Sequence, residues 1–151
     1  MKEFNSIDDI LDFAINAEQE AVNFYTSLVD RSKNPAMKKV FLDFAQEEMK
    51  HKSMLSGIKD NREFDLPVVK IRDLKIADYL VNIKPSDKMS YEEALILAMQ
   101  KEKKAFMLYL KLSEEVSEAS MKKLFLSLAQ EESKHKLRFE LEYDEYILRE
   151  N

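Results

Sequence analysis

Phe41-Leu42-Asp43-Phe44-Ala45-Gln46-Glu47-Glu48-Met49-Lys50-His51-Lys52 returns 84 residues later as Phe125-Leu126-Ser127-Leu128-Ala129-Gln130-Glu131-Glu132-Ser133-Lys134-His135-Lys136. Both copies carry a Glu and a His three positions apart, which puts the two side chains on one face of a helix. The same offset lays Glu18, Ala21 and Tyr25 over Glu102, Ala105 and Tyr109, and Met37-Lys38-Lys39 over Met121-Lys122-Lys123. No gap is needed, so the chain reads as one helical hairpin written twice. Two hairpins joined by a long crossover are a known way to build an all-α four-helix bundle.

Turn residues agree. With one Gly and three Pro in 151 residues, the chain has few places to turn and its helices must be long. Ser6 followed by Asp9 reads as a helix start, and Ser90 with Glu93 as a capping box. The Asn34-Pro35 step breaks the first helical stretch, and Val116–Ser120 breaks the third. The spacing predicts helices over about 6–32, 36–59, 90–117 and 119–148. They form a single domain over 1–151, with hairpins at 6–59 and 90–148 around a crossover at 60–89. Arg72–Val81 within that crossover is expected to form a short helix.

Each predicted helix carries an apolar stripe in alternating steps of four and three, the pattern of a bundle seam. The first reads Ile7, Leu11, Ala14, Glu18, Ala21, Tyr25, Leu28, and the second Met37, Phe41, Phe44, Glu48, His51, Leu55, Ile58. The third reads Tyr91, Leu95, Ala98, Glu102, Ala105, Tyr109, Leu112, and the fourth Met121, Phe125, Leu128, Glu132, His135, Phe139. Every stripe is interrupted near its middle by Glu, or by Glu with His. A buried carboxylate without a partner costs several kcal/mol. Four at one level would repel one another unless strong positive charge sat among them. Two cations held by Glu18, Glu48, His51, Glu102, Glu132 and His135 supply that charge. Four carboxylates with two imidazoles suit iron or manganese better than zinc, calcium or magnesium.

A lone Glu-x-x-His on a helix is usually surface decoration; two copies on apolar stripes are not. Glu20, Glu47 and Glu131 fall off the stripes and read as solvated or, less often, as groups that support the ligands. Tyr25 and Tyr109 lie two turns beyond Glu18 and Glu102. They read as core aromatics, or as groups that hydrogen-bond a ligand carboxylate or pass electrons.

Composition narrows the function. Lys and Arg number 24 against 29 Asp and Glu, a net charge of −5, which argues against nucleic acid and anionic membranes as partners. The absence of cysteine excludes disulfides, zinc ribbons, iron–sulfur clusters and a rubredoxin-type iron site. With no apolar N-terminal segment and no membrane-length apolar run, a soluble cytoplasmic protein is expected.

Glu18-Gln19-Glu20-Ala21-Val22-Asn23-Phe24-Tyr25 with Glu48-Met49-Lys50-His51, and Glu102 with Glu132-Ser133-Lys134-His135, resemble the ferritin-like di-iron carboxylate superfamily. Within it the chain is most similar to the rubrerythrin-like branch, because both halves carry the Ala and Tyr that follow the first Glu. The resemblance implies that Glu18 and His51 hold one iron, Glu102 and His135 the other, and that Glu48 and Glu132 bridge them. Three departures are visible. There is no cysteine-rich rubredoxin domain, and the extra glutamate that rubrerythrins place about one turn beyond Glu102 is replaced by Ala105, beside Lys103 and Lys104. The ligand set is thereby closer to that of bacterioferritin, whose local sequence Glu48-Met49-Lys50-His51 also resembles. Haem at Met49 is not expected, since an exposed methionine on the second helix more often packs or meets a partner.

The resemblance implies a di-iron oxidoreductase that reduces hydrogen peroxide or dioxygen. A separate carrier such as a rubredoxin would supply the electrons to a homodimer. Two rivals stay open: iron oxidation and storage in a cage, and a metal-stabilised bundle without catalysis.

Overall fold

The computed structural model describes residue 4, residues 6–60, residue 86 and residues 88–150. The predicted crossover, with its short helix at Arg72–Val81, lies outside the described residues. Four α-helices follow in order: α1 (Ile7–Arg31), α2 (Pro35–Asp60), α3 (Tyr91–Glu115) and α4 (Ala119–Glu150). They fall into two compact units, one built on α1 and α2, the other on α3 and α4.

In the first hairpin, the Asp9 N–H donates to Ser6 Oγ at 3.1 Å, which caps α1, and Asp8 and Asp9 complement its positive end. The turn into α2 is capped at Asn34, whose Oδ1 accepts from the Met37 N–H at 2.9 Å. Pro35 is then the first residue of α2, where a missing N–H costs nothing. Lys38 Nζ reaches back to the Val29 carbonyl at 3.0 Å. It thereby satisfies one of the carbonyls that the end of α1 leaves open. Between the helices Tyr25 lies against Phe44, ring centres 5.8 Å apart.

The second hairpin repeats this plan with different residues. Ser90 and Glu93 form the expected capping box at the start of α3. The turn into α4 is capped by Glu118, which accepts from the Ser120 and Met121 N–H groups at 3.1 and 2.9 Å and from the Ser120 hydroxyl. Lys122 Nζ donates to the Ser113 carbonyl at 3.1 Å, the counterpart of Lys38 on Val29 in the repeat. Tyr109 stacks on Phe125 at 6.1 Å. At the far end Tyr91 donates to Glu142 at 2.8 Å and Tyr143 to Glu92 at 3.0 Å.

The stripes face inward. Leu11, Ala14, Tyr25, Phe41, Leu55, Leu95, Ala98, Leu112, Phe125 and Phe139 are at most 1% exposed. Three stripe positions are only half-buried: Met37, Ile58 and Ala105. Met37 and Ile58 sit in the first and last turns of α2, where a helix end has fewer neighbours. A straight helix also drifts by about 20° per heptad from a strict 3.5-residue seam. No helix among the described residues is long and apolar enough to cross a membrane.

Candidate metal centre

Each hairpin buries one triad. In the first, Glu18 comes from the middle of α1 and Glu48 and His51 from adjacent turns of α2, at 2%, 1% and 7% exposure. In the second, Glu102 comes from α3 and Glu132 and His135 from α4, at 1%, 0% and 3%. All six side chains interrupt otherwise apolar faces, so ordinary helix packing carries the carboxylates inward.

Within each triad, one potential ligand atom per residue lies within 4.8 Å of the others. His51 Nδ1 stands 3.6 Å from Glu18 Oε1 and 3.7 Å from Glu48 Oε1. His135 Nδ1 stands 3.7 Å from Glu102 Oε2 and 3.8 Å from Glu132 Oε2. A protonated histidine serving a carboxylate would close to about 2.7–2.9 Å, and 3.6 Å is too long for a hydrogen bond. Two donors about 2.1 Å from a shared ion stand roughly 3–3.6 Å apart. The observed spacings, 3.6–3.8 Å, lie at or just above the top of that range and well beyond the hydrogen-bonded ion-pair distance. Carboxylate oxygens and imidazole nitrogens buried at matching repeat positions in both hairpins fit a divalent transition ion.

Residues around the triads sort as follows. Glu20 is exposed, Glu47 and Glu131 are half-buried, and Glu131 approaches Lys134 at 3.5 Å. Tyr25 and Tyr109 are buried, at 0% and 1% exposure, with their rings against Phe44 and Phe125. That placement packs both rings within their own hairpins. Met49 is 42% exposed.

One difference between the halves escapes a motif reading. In the first hairpin Lys52 Nζ donates across the helix pair to Gln19 Oε1 at 2.5 Å, directly beside Glu18 and His51. The repeat puts Lys103 and Lys136 in those two places, and two lysines cannot form that bond. Lys136 turns along its own helix to Glu140 Oε1 at 2.8 Å instead. Aligning positions 19 and 52 with 103 and 136 is the signal that finds this.

A family model described as Rubrerythrin matches residues 9–143. A crystal structure from Thermotoga maritima, described as a ferritin-like diiron-carboxylate protein, is similar with a TM-score of 0.76 at 22% identity; the match covers 97% of this chain and 99% of that one. A hypothetical protein from Pyrococcus furiosus is similar with a TM-score of 0.65 at 29% identity, over 92% of this chain and 89% of that one. No curated protein matches the chain.

Proposed function

The chain belongs to the rubrerythrin family and has the ferritin-like four-helix bundle fold; on that premise we propose that it is a di-iron carboxylate oxidoreductase. It reduces hydrogen peroxide or dioxygen in the cytoplasm, as a homodimer, with electrons from a separate carrier. The observation that carries this reading is the pair of repeat-related Glu–Glu–His triads, each almost fully buried.

In this proposal Glu18, Glu48 and His51 would hold one ion, and Glu102, Glu132 and His135 the other. When bound, the ions supply reversible one-electron redox chemistry and a Lewis-acidic place for the oxidant. The protein's own contribution is to keep carboxylates and imidazoles dry, close and correctly turned. Burial strengthens every charge interaction in the site. Packing of Phe44 and Phe125 against Tyr25 and Tyr109 stiffens each hairpin within a few turns of its triad. Reduction of one peroxide to two waters consumes two electrons and two protons. No cysteine is present to hold an electron-carrying centre, which supports an external donor.

Metal content of protein purified anaerobically, with a visible spectrum before and after peroxide, tests the reading. Two irons per chain and a ferric band growing within seconds are expected. Oxidation by peroxide no faster than that of free ferrous ion would remove the enzyme reading and leave storage or a structural metal.

A further inference from the structure

The far end of the second hairpin holds two hydrogen bonds that packing alone does not require. Tyr91 donates to Glu142 Oε1 at 2.8 Å and Tyr143 to Glu92 Oε1 at 3.0 Å, each phenol crossing to the opposite helix. The Tyr91 ring also meets the Tyr146 ring edge-on, with centres 5.1 Å apart. The repeat shows what closes a hairpin here without them. In the first hairpin Ile7 and Ile58 stand in the places of Tyr91 and Glu142, Ile7 is buried, and Lys59 pairs with Asp12. An apolar pair therefore suffices for packing, and a phenol aimed at a carboxylate is additional chemistry.

Position gives that chemistry a direction. On α4, Glu132, His135, Phe139, Glu142 and Tyr146 follow in steps of three and four, so they share one face. The first two are ligand candidates, and Phe139, at 0% exposure, lies between them and Glu142. Glu142 is seven residues beyond His135, about 10.5 Å along the helix. The Tyr91 hydroxyl is held at that level, Tyr91 itself is only 9% exposed, and Tyr146 is half-buried. A buried phenol thus stands two turns from the triad, bonded to a base and touching a second, more exposed phenol. Tyr143 lies off this face. The hydrogen bond to Glu92 raises its phenol above the ordinary value, and that pair ties the two helices together.

We propose that Tyr91 and Glu142 are a redox-active pair: Tyr91 gives one electron to the ion held by Glu102, Glu132 and His135, and its hydroxyl proton to Glu142. The inference rests on the proposed oxidoreductase reading and supplies what that reaction lacks when its carrier is scarce. Peroxide needs two electrons to become two waters. A chain with one reduced ion supplies one, and peroxide left at that stage is cleaved to hydroxide and a hydroxyl radical. Tyr91 supplies the second electron. Its O–H bond breaks, the proton passes along the existing hydrogen bond, Glu142 becomes the neutral acid, and a tyrosyl radical remains. The two protons of the waters come from solvent. A base must stand within hydrogen-bond reach of the proton it takes, and 2.8 Å meets that requirement. An electron drawn through the touching Tyr146 ring from a thiol in solution, which is oxidised, restores the pair as Glu142 hands the proton back.

The test uses full-length protein loaded with iron, reduced anaerobically by one electron per chain and mixed with peroxide in the absence of thiol. Freeze-quenched samples are read by electron paramagnetic resonance for a tyrosyl radical, and ferrous iron is counted in parallel with a chelating dye. Wild type is expected to give the radical. Tyr91→Phe, which keeps the ring beside Tyr146, should give at least tenfold less. Glu142→Gln still accepts a hydrogen bond but takes no proton, so its yield should fall at least fivefold. Circular dichroism checks each variant, and Tyr143 on Glu92 still holds the helix ends together in both. Tyr146→Phe should leave the yield unchanged and slow the decay on adding thiol at least threefold; an unchanged decay would overturn Tyr146 as the exit. A radical of wild-type size in Tyr91→Phe, one lost only in Tyr109→Phe, or an undiminished yield in Glu142→Gln would overturn the pair. So would the absence of any radical in wild type whose ferrous iron is oxidised. Ferrous iron that peroxide leaves untouched would sink the oxidoreductase reading instead.

Discussion

At the scale of single residues, the six ligand candidates have opposing effects on the apo and loaded protein. Glu132, at 0% exposure, is a burden on the metal-free fold and an anchor once a cation is present. Glu132→Gln is therefore expected to raise or leave unchanged the melting temperature of metal-free protein, and to lower that of iron-loaded protein. Calorimetry with and without ferrous ion under anaerobic conditions reads both. A drop of equal size in the two states would mean that Glu132 serves packing alone. Tyr25 and Tyr109 separate ring from hydroxyl. Tyr→Phe at either keeps the contact with Phe44 or Phe125 and is expected to cost no more than about 1.5 kcal/mol in urea unfolding. Phe125→Ala opens a void beside Tyr109 and costs about 3–5 kcal/mol. Iron content should survive the tyrosine changes.

At the scale of elements, the two inter-helix turns use one design with unlike side chains. Lys38 and Lys122 close the ends of α1 and α3 from the following helix, whereas the caps differ, Asn34 in one turn and Glu118 in the other. Ser90→Ala breaks the capping box and is expected to lower stability by about 1 kcal/mol. Glu118 introduces a pH dependence that Asn34 does not. The hydrogen bond from the Ser120 side chain, followed by the Ser120 and Met121 backbone N–H groups, holds its carboxyl below the ordinary value. A depressed carboxyl contributes stability above the unfolded pKa, about 4.3. The contribution fades as pH falls through the lower folded value. Glu118→Gln should therefore melt below wild type at pH 7, and the gap should close toward pH 3 when melting temperatures are compared. A gap that persists unchanged at pH 3 would show that the cap works without its charge.

At the scale of the whole molecule, metal and folding are linked by mass action. An ion that binds only the folded chain stabilises it by about 2.7 kcal/mol at one hundred times its dissociation constant. Added ferrous or manganous ion should raise the melting temperature in proportion to the logarithm of its concentration, and a chelator should reverse the gain. A metal-independent melting temperature would leave both triads without a cation. Light scattering on the same samples distinguishes the proposed dimer from a storage cage: a mass of two subunits is expected, and one many times larger would favour iron storage.

Much of this was legible in local spacing. A Glu and a His three residues apart must share a helix face, and a repeat without gaps must fold twice the same way; the helix ends at Ser6, Pro35 and Ser90 follow from backbone chemistry within a few residues. Local spacing also carried the two triads as candidates, because polar residues on an apolar stripe stand out without coordinates. It did not reveal that Glu118 caps α4, that Lys38 and Lys122 reach back to Val29 and Ser113, or that Lys52 bridges to Gln19 while Lys136 turns to Glu140. It also placed Met37, Ile58 and Ala105 deeper than they lie. Those outcomes belong to tertiary structure because long side chains have several partners within reach. Which partner wins depends on how two helices cross and how far each turn brings them together, and no periodicity along one helix records that.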